Sequence, residues 1–277
     1  MTAKSKKYLL SGVVIVLFVL LLVFELGQNK IFGNMEHGDT IYSIATRLLG
    51  GLACLIFICS FSAKNILSFK TGFKSFLIFL PCMAIAINNF PFVTYFSGEA
   101  YIDSDVTTVM LYAILCFCVG FFEEMAFRGC IFTVILQRRK NRWIDVFVSI
   151  VISSLIFGVI HLVNIFAGAG IGAVILQVGY SFLIGGMCSI ILIKTRNIWY
   201  CVVLHAVYNF AGGVVPQCGG GTIWNASEIA LTSIVAVIVA TYVIALLVKI
   251  TPAEIERLWD NNVKNKEENN GAKYADI

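Results

Sequence analysis

Two adjacent carboxylates and a guanidinium lie inside a long apolar run of this sequence. Glu123, Glu124 and Arg128 all fall within Val106–Leu136, where most neighbours are hydrophobic. A charged side chain near the centre of a bilayer costs at least about 2.5 kcal/mol on insertion scales, so such residues are usually paired and functional. On a helix, Glu124 and Arg128 share a face, which favours an ion pair, whereas Glu123 points about 100° away. Glu123 is therefore the candidate general acid or base.

Two of the three histidines also fall inside apolar runs. His161 follows Phe157 by four residues and His205 precedes Asn209 by four, so each pair shares a helix face. A Glu and a His beside one water could deprotonate it for attack on an amide carbon, while a second His and an Asn stabilise the oxyanion. Two His and one Glu also match a catalytic zinc set, but no His-Glu-x-x-His motif occurs, so metal ligands would come from separate helices.

Each of these residues also has a simpler interpretation when it is considered alone. Glu124 with Arg128 could be a structural ion pair inside the membrane, and each His could be a hydrogen bonder between helices. Glu123 could belong to a proton relay. The co-occurrence of all three segments favours a functional site over these structural roles.

Membrane-spanning helices must position these side chains. The chain has 277 residues, of which 59% are hydrophobic and 13% charged, against about 25% charged in soluble domains. This composition predicts an all-α polytopic membrane protein, and no basic stripe indicates nucleic-acid binding. Runs of about 20 apolar residues predict eight spans. They are Tyr8–Leu26, Ile41–Ala63, Phe76–Phe96, Val106–Leu136, Trp143–Ala167, Ile171–Lys194, Ile198–Val215 and Ile229–Val248.

The charges of the loops predict the orientation of these spans. Basic residues cluster at the N-terminus and after the second, fourth and sixth spans, whereas Ser97–Asp105 and Pro216–Glu228 contain no Lys or Arg. The positive-inside rule then places both termini in the cytoplasm. The third span contains Pro81 and Pro91, so we expect it to be kinked or broken, either as a gate or substrate cleft or as a tolerated kink.

Residues 1–250 therefore form the predicted transmembrane domain, and 251–277 a cytoplasmic tail. Thr251 and Glu254 are spaced as a capping box with Pro252 at the first helical position, which predicts a short helix to about Asn262 before a disordered end. Most of the nine cysteines lie in apolar runs and are expected to be buried, whereas Cys218, in a Gly-rich loop, could be exposed.

The three polar segments, in this order, resemble the CPBP family of intramembrane endopeptidases. This family includes type II CAAX prenyl proteases and bacteriocin-processing proteins and is also labelled Abi. Its motifs Glu-Glu-x-x-x-Arg, Phe-x-x-x-His and His-x-x-x-Asn/Asp are similar to Glu123–Arg128, Phe157–His161 and His205–Asn209 here. The resemblance covers about half of the spans and implies a protease core at 106–215.

The resemblance also implies roles for four catalytic side chains. Glu123 would be the general base that activates water, with His161 beside it. His205 and Asn209 would form the oxyanion hole. Hydrolysis of a peptide bond near the membrane surface, by a glutamic-type endopeptidase, is the predicted activity.

The remaining motif residues would support this set. Glu124 and Arg128 would orient Glu123 and hold the helices, and Phe157 would pack near the site. The family has been described both as metalloproteases and as glutamate-dependent enzymes; we expect no metal cofactor, with zinc as the alternative. The implied partners are membrane lipid and a peptide or protein substrate, lipidated or otherwise membrane-associated.

Two other functions are compatible with the sequence. One is a non-enzymatic immunity or scaffold protein in the membrane that keeps the residues of the site. The other is a proton-coupled transporter, although transporters usually contain repeated halves and this sequence shows no internal repeat. The Lys- and Ile-rich composition with short loops suggests a multi-pass protein of a bacterial cell membrane, and within the family CAAX cleavage, bacteriocin maturation and self-immunity all remain open.

Overall fold

The computed structural model describes residues 37–60, 64–69, 72–138 and 142–259, together with Gly12 and Val19. Its helices are α1 Gly38–Ser60, α2 Phe73–Asn88, α3 Phe92–Phe96, α4 Val106–Glu124, α5 Thr133–Gln137, α6 Trp143–Ile160, α7 Val163–Phe166, α8 Ile171–Thr195, α9 Ile198–Cys218, α10 Ala226–Val248 and α11 Pro252–Glu256, with a 3₁₀ turn at Lys64–Leu67. Six helical stretches within these residues are long and apolar enough to cross a membrane. The prediction of an all-α multi-pass membrane protein is therefore confirmed.

The predicted count of eight spans is not confirmed. The first predicted span, Tyr8–Leu26, lies outside the described residues except for Gly12 and Val19, which are helical. The third is broken, as expected: α2 continues through Pro81 and ends at Asn88, and α3 begins after Pro91. At 1.5 Å per residue, the 16 residues of α2 reach about 24 Å, less than the hydrocarbon thickness of about 30 Å.

The fourth span is helical along its length but changes type at the acidic pair. Helix α4 begins at the N-cap Asp105, whose carboxylate accepts a 2.7 Å hydrogen bond from the backbone amide of Thr108, and this bond lowers the pKa of that carboxyl. After Glu124 the chain forms a π-helix, Met125–Phe132, before α5. Wider turns of this kind are rare and are frequently found at functional sites. The π-helix is almost entirely buried, so it lies in the core of the bundle rather than against lipid.

Close packing of α4 on α9 brings the acidic pair to the third motif segment. These two helices make the most extensive contact of the bundle, and α4 also packs against α1. Gly120 makes the approach possible: a Cβ at this position would lie 3.0 Å from both the Ala206 nitrogen and the Val202 oxygen of α9. A side chain here would push the two helices apart, so we regard Gly120 as a requirement of the site's geometry.

Two short strands join the ends of α3 and α9. Strand β1, Ala100–Ile102, pairs antiparallel with β2, Gly219–Gly221. The expectation that Cys218 could be exposed is wrong, because the chain at β1 covers it: Cys218 is buried and its carbonyl accepts hydrogen bonds from the amides of Asp103 and Ser104. Cys59, in contrast, lies on the outer surface of α1, so not every cysteine in an apolar run is buried.

The start of the predicted cytoplasmic tail packs against the domain. Both hydrogen bonds of the Thr251–Glu254 capping box are present, which confirms that prediction. The helix ends at Glu256 rather than near Asn262, because Leu258 and Trp259 turn inward and are buried. The end predicted to be disordered lies outside the described residues.

Candidate active site

Glu124 and Arg128 form the predicted ion pair, and it is completely buried. The Nη1 atom of Arg128 lies 3.0 Å from Glu124 Oε1, and the two side chains are 1% and 0% exposed. The same oxygen is 2.8 Å from Nδ1 of His205. Because a carboxylate oxygen accepts, Nδ1 of His205 donates the proton of this bond. The pair therefore fixes both the orientation and one proton of His205.

Glu123 lies on the other side of the same imidazole. Its Oε2 atom is 3.5 Å from His205 Nε2, longer than a good hydrogen bond, and the side chain is 18% exposed. His205 thus lies between two carboxylates, the fully buried Glu124 and the partly exposed Glu123. With both carboxylates ionised, Arg128 balances one negative charge and a doubly protonated His205 would balance the other.

Phe157 occupies the centre of this cluster. The guanidinium carbon of Arg128 lies 4.2 Å from the centroid of its ring, a cation–π contact. The rings of His161 and His205 meet Phe157 edge to face at 5.1 and 5.8 Å. One buried ring therefore positions both histidines and the arginine.

His161 makes its hydrogen bond within its own helix. Its Nδ1 atom is 2.8 Å from the carbonyl oxygen of Phe157, so Nδ1 donates and the neutral ring keeps Nε2 as an acceptor. Over the described ranges, no hydrogen bond or ion pair joins His161 to Glu123. Since α6 ends at Ile160, His161 caps this helix, while His205 makes the 3.5 Å contact with Glu123.

Asn209 lies one helical turn beyond His205 on α9, and its backbone is held from two sides. Tyr112 Oη approaches the carbonyl oxygen of Asn209 at 3.4 Å, and Asn89 Nδ2 donates to the carbonyl oxygen of Tyr208 at 2.8 Å. Both side chains enter a notch left by two glycines that follow on α9. A Cβ at Gly212 would overlap Asn89, and one at Gly213 would overlap Tyr112.

The segment that carries these residues matches one family model. Residues 105–211 match the model described as type II CAAX prenyl endopeptidase Rce1-like. This segment is therefore similar to the Rce1-like family over 105–211. No curated protein and no solved structure matches the chain. The match supports a protease of the CAAX type in a multi-pass membrane protein, and such a protease implies a protein or peptide substrate.

Three side chains near the site lie within the matched segment but outside its three motifs. The ring centroids of Tyr180, on α8, and Tyr208 are 5.8 Å apart, and Tyr180 lies within electrostatic range of Glu123. Tyr112 and Ser154 were also missed by sequence reasoning. Tyrosine and serine are unremarkable in apolar helices, so only the three-dimensional packing indicates their proximity.

The potential metal ligands that lie closest together in the described residues differ from the two His and one Glu of the zinc alternative. Within the described residues, three potential ligands lie within 4.8 Å of one another at Glu124, Cys188 and Cys201, and all are buried. This group includes neither His161 nor His205. Glu124 is moreover engaged by Arg128 at 3.0 Å, and a guanidinium at that distance opposes a bound cation.

Proposed function

We propose that this protein is an intramembrane endopeptidase in which Glu123 activates a water molecule for attack on a peptide bond. The observation that carries the proposal is the contact between Glu123 and His205, with Glu123 partly open and its neighbour Glu124 sealed. A general base must contact the water that it deprotonates, and of the two glutamates only Glu123 is open to solvent.

The hydrolysis needs two proton transfers, and Glu123 can carry both. The water oxygen bonds to the carbonyl carbon while one proton passes to Glu123 and the carbonyl electron pair moves to oxygen. The tetrahedral oxyanion then collapses, the carbon–nitrogen bond breaks, and Glu123 returns its proton to the leaving nitrogen. The products are a new carboxyl terminus and a new amine, and no step passes through a metal ion.

Donors on α9 would stabilise the oxyanion. Since Nδ1–H of His205 is engaged by Glu124, the donor available to substrate is Nε2–H, which requires the doubly protonated ring. The Asn209 amide would donate beside it. Preorganised donors of this kind are worth about 10²–10³ in rate each, and Asn89 and Tyr112 would keep Asn209 in position.

His161 would serve the substrate or its water rather than Glu123. With Nδ1–H bonded to the Phe157 carbonyl, Nε2 is an acceptor. An acceptor there would bind the second proton of the attacking water. This differs from a direct Glu123–His161 partnership, and it makes the Nε2 lone pair the functional feature of His161.

The substrate is proposed to be a peptide segment at the membrane surface, lipidated or embedded in the bilayer. CAAX processing and bacteriocin maturation involve such a cleavage, and self-immunity through cleavage is the third role that the resemblance leaves open. The natural substrate can be found by comparing peptide termini in membranes that contain wild type or Glu123→Gln at equal abundance.

Glu228→Gln is the control for that experiment, because it makes the same substitution at a carboxylate that bonds to the Val93 amide instead of to His205. We expect new termini with wild type and Glu228→Gln, and a loss of at least about 100-fold with Glu123→Gln. Full activity of Glu123→Gln would overturn the proposal. Equimolar zinc in active purified protein, with inactivation by a chelator, would overturn its metal-free chemistry.

A further inference from the structure

Strand β2 presents an open edge of backbone groups at the end of α9. The Thr222 amide donates to the Glu99 carbonyl at 2.9 Å, and the Cys218 carbonyl accepts hydrogen bonds from the amides that follow β1. In a planar trans peptide, the C=O and the N–H that follows it point in opposite directions. The Gly221 C=O and the Gly219 N–H therefore point away from β1. The antiparallel register adds the Gly219 C=O and the Gly221 N–H to the same edge.

All three residues of β2 are glycines, because the close pairing leaves no room for side chains. A Cβ at Gly219 would overlap the Tyr101 carbonyl oxygen, and one at Gly221, where φ is +99°, would overlap that of Glu99. Among the described residues, β2 packs mainly on β1 and α9. The far edge of β2 is therefore bare of side chains, and such an edge is a template for pairing with an extended chain.

The surface around this edge is acidic, which indicates the kind of chain that it would bind. Glu99, Asp103 and Asp105 are all exposed, and residues 97–105 and 216–228 contain no Lys or Arg. Carboxylates on a rim of this kind attract a basic segment and repel an acidic one. The backbone and the charges together fit an extended peptide that carries Lys or Arg.

The edge also lies at a defined distance from the proposed site, because β2 follows α9 directly. Gly219 comes ten residues after Asn209, a rise of about 15 Å along the helix. An extended peptide covers that distance with about four or five residues at ~3.3 Å each. A membrane substrate that unwinds to reach the site frees backbone groups, and these need new partners near lipid. The edge of β2 supplies such partners.

We propose that β2 binds the substrate as an added strand. The recognised segment is extended and carries Lys or Arg about four or five residues from the scissile bond. Strand addition supplies main-chain hydrogen bonds, and the acidic surface supplies the preference for charge. The position of the cut rests on the proposed protease function, whereas binding of the strand rests on the sheet alone.

Photocrosslinking tests the binding in full-length Glu123→Gln with benzoylphenylalanine at the exposed Thr222. The probes are three decapeptides of alternating Val and Thr, which favour strands. One contains two Lys, one has Glu in their place, and one is the Lys peptide N-methylated at consecutive amides, which removes donors from both strand edges. The Lys peptide should crosslink at least about 5-fold more than either other probe, the effect of one net hydrogen bond.

The same photoreactive residue at Phe69, which is 74% exposed, gives the background, because this position lies near the other end of α9, where Phe69 stacks on Trp199. Equal crosslinking of the three probes at Thr222, or a yield no higher than at Phe69, would overturn the proposal.

A pair of neutral variants tests the charge preference. Asp103→Asn removes a carboxylate beside the edge, and Glu256→Gln makes the same change in net charge at an exposed position on α11. Only Asp103→Asn should reduce the preference for the Lys peptide over the Glu peptide, by about 2- to 5-fold for an exposed charge. An equal reduction in both variants would contradict a local role for the acidic surface.

The sequences of cleaved substrates separate this proposal from the protease proposal. Among the termini that appear with wild type but not with Glu123→Gln, Lys or Arg should be enriched four or five residues from the cut, and Pro, which lacks the N–H, should be depleted between them. Cleavage without this pattern would overturn strand addition at β2 and leave the protease intact. Without new termini the protease proposal fails, and the crosslinking still decides whether β2 binds a basic strand.

Discussion

Two glutamates in the described part of the chain are buried, and they lie in regions of different character. Glu124 is in the middle of the bundle and is contacted by Arg128 and His205. Glu228 is in the first turn of α10, where its Oε2 accepts from the backbone amide of Val93 at 2.7 Å. Each has one oxygen without a hydrogen-bond partner.

The difference between them shows what burial can and cannot indicate. The negative charge of Glu228 is compensated by the Val93 amide and by the positive end of a helix dipole, which are fixed structural groups. Glu124 is compensated by ionisable side chains, and one of these reaches the partly open Glu123. A buried carboxylate becomes a candidate for chemistry when its partners connect it to a group that substrate can reach.

The largest effect should come from removing the cation of the first region. Arg128→Met leaves Glu124 as a buried charge beside an apolar side chain, and loss of one partner of a buried pair costs about 3–5 kcal/mol. Unfolding by heat or denaturant in detergent should show this loss. The double variant Glu124→Gln with Arg128→Met should recover most of the stability, because no buried charge remains; equal destabilisation of the single and double variants would contradict this account.

Two neighbouring asparagines allow a finer test of the same contrast. Asn89 bonds to the carbonyl of Tyr208 near Asn209, whereas Asn88 bonds to Thr232 Oγ1 on α10. Each alanine variant should lose about 1 kcal/mol of stability. Only Asn89→Ala should also lower kcat with KM nearly unchanged, because it loosens the proposed oxyanion donor. Equal kcat in the two variants would remove Asn89 from its positioning role.

Sequence spacing predicted those parts of the site that depend on one helix. The Glu124–Arg128 pair follows from residues four apart, and the break in the third span follows from Pro91. Local rules are sufficient in these cases because the interacting atoms are near in sequence and the backbone geometry is standard.

Contacts between helices could not be predicted in the same way. The spacing of His161 and His205 defines helix faces but neither the rotation nor the depth of each helix, so the sequence could not show that His205 would meet Glu123. The π-helix at Met125–Phe132 has no sequence signal of its own. Likewise, Gly219–Gly221 was interpreted as loop, because the strand forms only when Ala100–Ile102 pairs with it.

Neutralising the second buried carboxylate should have a small effect. Glu228→Gln keeps an acceptor for the Val93 amide but loses the favourable interaction of its charge with the helix dipole, which is worth about 0.3–1 kcal/mol. We expect a slight decrease in thermal stability and wild-type kcat/KM. A decrease in stability as large as that of Arg128→Met would show that Glu228, like Glu124, depends on a charged partner, and would contradict the contrast drawn between the two glutamates.

The smallest effect should come from a carboxylate outside the membrane. Glu254 of α11 binds Nζ of Lys194 at 2.9 Å. Burial by itself would raise the pKa of Glu254, but hydrogen bonds from Lys194 and the Thr251 amide, together with the charge of Lys194, outweigh it and lower the pKa. A lowered folded-state pKa means that the stabilisation is present above the unfolded pKa of about 4.3 and is lost as the pH falls through the folded value.

Because this pair is partly exposed and screened by solvent, its contribution should be only about 0.2–1 kcal/mol. The difference in unfolding free energy between wild type and Glu254→Gln, measured from pH 7 downward, should therefore shrink below pH 4–5, at about the unfolded pKa and under it. A difference that grew in acid would have the wrong sign for a carboxylate with a lowered pKa. A difference as large as the Arg128→Met effect would mean that solvent exposure does not weaken the Glu254–Lys194 pair relative to the buried Glu124–Arg128 pair.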